Sequence, residues 1–116
     1  MAKKLAVIME LKGAFVMPPL PKSLKLDPML AALLQTMSFL ELSDDETVDP
    51  DYAIEAMESA SGYLQRLSPP QLDIIHGQLV RVAAYARKKR FHNDFITFIG
   101  DFLTSAGIGA LEFDEE

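Results

Sequence analysis

At three places a residue that accepts backbone hydrogen bonds is followed directly by proline: Asp27-Pro28, Asp49-Pro50 and Ser68-Pro69-Pro70. This pairing does more than any other feature to limit the fold. A side-chain oxygen at the N-cap satisfies a free N–H of a first helical turn. Proline fits the next position because the N–H it lacks would have gone unpaired there. At Ser68 two further signals coincide. Gln71 stands three residues on and completes a capping box, and Leu67 and Leu72 have the spacing of a hydrophobic staple. Asp51 adds favourable charge to the first turn after Asp49. A fourth start is expected at Asn93, with Asp94 behind it. The starts are irregularly spaced and the segments between them share no pattern, so they do not form a repeat.

Each start is followed by apolar residues at helical spacing. The stripes are Leu30, Leu33, Leu34, Met37 and Leu40; then Ala53, Ala56, Met57, Ala60, Tyr63, Leu64 and Leu67; then Leu72, Ile75, Leu79, Val82, Ala83 and Ala86; and last Phe95, Phe98, Ile99, Phe102 and Ala106. Asp94, Thr97, Asp101 and Thr104 fall on the far side of the last one. Gly107 has the position of a C′ glycine, and Ile108 that of the apolar partner of Leu103 in a Schellman motif. Four amphipathic helices bury their faces most economically against one another. The expected fold is all-α: a small antiparallel helical bundle of four main helices, with an irregular or short extended N-terminal segment.

The expected organisation is one domain of three parts. Residues 1–26 form an N-terminal segment and Pro-rich linker, residues 27–107 the bundle, and residues 108–116 an acidic tail. Within the first part "LAVIMEL" suits either a strand or a short helix, and "MPPLPKSLKL" reads as an extended linker. The tail "ALEF" could pair with an N-terminal strand. The apolar run Leu5 to Met9 is too short for a signal-peptide core. No stretch reaches the roughly 20 apolar residues of a membrane span. The chain has no cysteine, so thiol catalysis, thiolate metal sites and disulfides are excluded. We expect a cytoplasmic chain that engages no membrane.

Charge is unevenly placed. Residues 1–26 hold five lysines against Glu10, whereas residues 27–58 hold nine acids and no base. "ELSDDETVDPDYAIE" fails as a calcium loop, because aligning Asp44 as first ligand puts Asp49 where glycine is required. It reads either as a solvated loop with a cap or as an acidic docking surface for a basic protein. "ARKKRFH" reads as a helix C-terminus stabilised by cations; nucleic-acid modules are usually basic overall, and this chain has a net charge of −6. His76 and His92 have no metal-ligand spacing, and no phosphate-loop, dinucleotide or nucleophile-elbow pattern is present.

These features favour a non-catalytic protein-binding protein without cofactor, metal or nucleic acid. By analogy of size and charge, the best expectation is an immunity-type inhibitor that occludes a basic toxin or effector. The expected contact residues are Glu41, Asp44, Asp45, Glu46, Asp49, Asp51, Tyr52, Glu55 and Glu58, the tyrosine as an anchor among the acids, with Tyr63 a further candidate anchor. The alternative is an adaptor or assembly chaperone of a phage or secretion system. An enzyme ranks last, since no Glu-x-x-His or comparable constellation occurs.

Overall fold

The structure is a computed structural model and describes residues 13–108. A 3-10 turn, Lys22–Leu24, precedes five α-helices: α1 (Pro28–Leu42), α2 (Pro50–Leu64), α3 (Pro69–Lys88), α4 (Asn93–Gly100) and the single turn α5 (Phe102–Ser105). No strand occurs among the described residues, and the helices form a small bundle. The expected N-terminal strand or helix and the pairing of "ALEF" lie outside the described residues.

The three proline-marked starts behave as their chemistry requires. Asp27 Oδ1 accepts from the Met29 N–H at 2.8 Å, and Asp49 Oδ1 accepts from the Asp51 N–H at 2.8 Å. At α3 both arms of the capping box form. The Gln71 N–H donates to Ser68 Oγ at 3.4 Å, and the Ser68 N–H donates to Gln71 Oε1 at 2.8 Å. The fourth start differs by one residue. His92, not Asn93, is the cap: its Nδ1 accepts from the Asp94 N–H at 3.0 Å. An imidazole nitrogen serves as the acceptor there, so Asn93 becomes the first helical residue.

The last amphipathic run is also divided where continuity was expected. Asp101 leaves helical geometry (φ −100°, ψ 4°) just after Gly100, a residue that weakens helix interiors. The division keeps Phe102, Leu103 and Ala106 inside. The end is a Schellman motif: Gly107 adopts φ 79°, its N–H donates to Thr104 O at 2.9 Å, and the Ile108 N–H donates to Leu103 O at 2.9 Å.

α4 lies against both α1 and α3, and α2 packs on α1. The core unites Leu30, Leu34 and Met37 of α1 with Leu72, Leu79, Val82, Ala83 and Ala86 of α3 and the phenylalanines of α4 and α5. Rings link these elements. Phe95, fully buried, lies 5.7 Å from Phe15, 5.8 Å from Phe91 and 6.1 Å from Phe98.

Two parts of the sequence reading need correction. The stretch before α1 is more than a linker. Met17 is buried in the core and Phe15 stacks on Phe95, while Arg81 holds the 3-10 turn by donating from Nε to Leu24 O at 2.8 Å and from its guanidinium to Lys25 O at 3.2 Å. The α2 stripe is narrower than its pattern. Only Ala53 is fully buried, Met57, Ala60 and Leu64 are half-buried, and Ala56 and Tyr63 are exposed. With α1 as its main neighbour, α2 has less surface to bury than seven small or apolar residues would fill.

Candidate protein-docking surface

The acidic stretch runs from the end of α1 across the connecting loop and along α2. Its acids divide into two groups by what their oxygens do. Asp44 and Asp49 are committed to the backbone. Asp44 Oδ1 accepts from the Glu46 and Thr47 N–H groups at 3.2 and 3.0 Å, an Asx-type turn, and Asp49 caps α2. The Asp44 N–H donates to Gly13 O at 2.7 Å. A Cβ on Gly13, whose φ is 82°, would collide with the Asp44 carboxyl, so this close approach needs glycine. Through Oδ1 these two acids shape the surface, and both stay exposed on it.

Asp45, Glu46, Asp51, Glu55 and Glu58 are exposed, and among the described residues no hydrogen bond holds their side chains. Between described residues the one contact within 4 Å from a carboxylate to a basic nitrogen is His92 Nδ1 to Asp94 Oδ2 at 3.8 Å, so no Lys or Arg of the described residues pairs with this surface. Tyr52 is 71% and Ile54 55% exposed, on either side of the buried Ala53. Tyr52, Ala56, Ser59 and Tyr63 follow one another at helical spacing on an outer flank of α2. At its far end Arg66 lies 5.0 Å over the Tyr63 ring.

On the other flank of α2 a groove of about 600 Å³ opens between α2 and the α4–α5 arm. Its apolar lining comes from Met37 and Leu42 of α1, Ile54 and Met57 of α2, and Phe98, Phe102 and Ala106. Its polar lining is acidic: Glu41, Glu58, Asp94 and Asp101, with Thr97, Ser61 and Ser105 between them. The Glu41 carboxyl is pushed above its ordinary value of 4.5, first by desolvation and second by the negative charge of Asp101. The fold thus brings Glu41 and Glu58 of the expected surface together with two acids from a distant segment. Sequence reading set Asp94 and Asp101 on the outer side of their helix but had no means of pairing that side with α2, which is a tertiary relation.

A second groove, about 660 Å³, is lined mainly by apolar residues of α1, the end of α2 and α3, among them Met29 and Ile74, which are 80% and 62% exposed. The basic run resolves into helix-end chemistry. Arg87 and Lys88 close the last turn of α3 and Lys89 caps it. Among the described residues no three His, Cys, Asp or Glu side chains converge to hold a metal ion, and no helix is long and apolar enough to cross a membrane. No known protein family matches this chain, and no curated protein or solved structure matches it significantly.

Proposed function

We propose that the chain is a non-catalytic protein-binding protein, an immunity-type inhibitor that occludes a basic partner in the cytoplasm. One observation carries the reading: five exposed acids of the α1–α2 loop and α2 (Asp45, Glu46, Asp51, Glu55 and Glu58) form no ion pair among the described residues and flank the exposed Tyr52 and Ile54. Such a field speeds encounter with a basic surface and fixes its register, while aromatic and aliphatic anchors supply affinity. Inhibition then needs no chemistry, only coverage of the partner's working face.

Affinity capture with the full chain from its native host tests this. A basic protein retained at about 0.1 M salt should be released near 0.5 M, where charges are screened within a few ångströms. The double variant Glu55→Lys/Glu58→Lys should fail to retain it. Retention that ignores both salt and the charge reversal would refute the reading.

The second groove favours a second reading, an adaptor or assembly chaperone, because Met29 and Ile74 expose apolar area that an assembly would cover. Light scattering separates the two. The inhibitor is expected to stay monomeric without its partner, and the adaptor to form discrete oligomers.

A further inference from the structure

The groove between α2 and the α4–α5 arm combines an apolar floor with acids on both sides. Glu58 belongs to α2, Glu41 to the end of α1, and Asp94 and Asp101 to the opposite rim. On that rim Asp94, Thr97, Asp101 and Ser105 recur at helical spacing. From Asp94 to Asp101 the rim follows α4 for seven residue steps, about 10 Å at the helical rise, before the chain turns into α5. An occupant must therefore be apolar at its centre, cationic along both edges and at least about two turns long. An extended strand would offer only alternate side chains to the floor. An amphipathic helix laid in the groove offers a continuous stripe, with residues beside it reaching both rims.

We infer that this groove seats an amphipathic helix of a basic partner protein, with an apolar stripe against Met57 and Phe98 and Lys or Arg on both edges facing Glu58 and Asp101. The inference rests on the proposed function and specifies which part of the acidic surface engages. Charge complementarity selects the occupant: the rim holds four carboxylates, and no cation of the described chain pairs with any of Glu41, Glu58 and Asp101. Among the described residues the one basic group within 4 Å of the Asp94 carboxylate is the imidazole of His92. The crowding of Glu41 by Asp101 is relieved when a cation enters between them. The apolar floor excludes a purely electrostatic occupant, since it gains nothing from a hydrophilic basic tail.

The probe is a fluorescein-labelled synthetic helix of about 16 residues, with leucine at i, i+3, i+4 and i+7 and lysine on both edges. It is titrated against the full chain by fluorescence anisotropy. Saturable binding is expected. Ile54→Asp in the groove wall and Glu58→Lys on its rim should each weaken it about tenfold or more. Both residues are exposed, so neither substitution threatens the fold, and circular dichroism checks this. The control variant Asp73→Lys, exposed on α3 and outside the groove, should stay within about twofold, as expected for an exposed charge at a distance. A peptide of the same composition with its leucines scattered around the helix should bind at least about tenfold more weakly.

Absence of saturable binding overturns the inference, as does equal weakening by Asp73→Lys and the groove variants. A concentration-dependent dimer abolished by Glu58→Lys overturns it too, because the occupant would then be a second copy. If native capture is salt-sensitive while the peptide ignores Ile54→Asp, the proposed function survives and the groove assignment falls. If native capture finds no basic protein, the proposed function falls whatever the peptide does.

Discussion

Arg90 adopts φ 59°, a left-handed conformation that costs a residue with a Cβ about 1 kcal/mol. It stands at the C′ position of α3. The Arg90 N–H donates to Arg87 O at 3.1 Å and the Phe91 N–H donates to Ala86 O at 2.8 Å, the two bonds of a Schellman motif. Glycine removes the strain, and alanine matches it in charge. Arg90→Gly should therefore exceed Arg90→Ala in unfolding free energy by about 1 kcal/mol, measured by urea denaturation. Glu41 bears a different cost. Its folded-state pKa lies above the ordinary 4.5, so the folded state holds its proton more tightly than the unfolded chain. The stability linked to that proton is present below the unfolded value and is lost as pH rises through the folded one. Glu41→Gln should therefore raise the melting temperature slightly near pH 7, and the gain should vanish at about pH 3, where both states are protonated. Thermal melts at the two pH values check this.

At the scale of elements, helix starts were legible and helix continuity was less so. A cap is a relation among four consecutive residues, so Ser68 to Gln71 declare themselves without reference to the rest of the chain. Ser68→Ala should cost about 1 kcal/mol by thermal or chemical denaturation, and Ser68→Asp should restore most of it. The displacement of the fourth cap to His92 escaped the sequence because histidine caps only when its acceptor nitrogen faces the helix, a tautomer choice that composition does not display. The division at Asp101 escaped for a different reason. Its apolar spacing continues unbroken from Phe98 to Phe102, and only the direction of the chain changes. Exposure along α2 shows the same limit: Tyr63 and Ala56 have the period of a buried face, yet burial requires a neighbour, and α1 covers only part of that face.

At the scale of the molecule, Phe95 is where the elements meet. It contacts rings from the segment before α1, from the α3–α4 connection and from its own helix. Phe95→Ala should cost about 3–5 kcal/mol, a large share of the 5–15 kcal/mol typical of such a domain. Loss of a sharp thermal transition with helical circular dichroism retained is the expected readout. The acidic character of residues 27–58 was plain from the sequence, but the groove was not, because Asp94 and Asp101 reach Glu41 and Glu58 only after folding. Finally, α2 buries just one residue completely while the phenylalanine-centred core is built from its neighbours. Substitutions along its outward side therefore leave most of the folding energy untouched. A lineage carrying this architecture can rewrite the outward side of α2, one surface residue at a time, without first having to re-evolve the body that displays it.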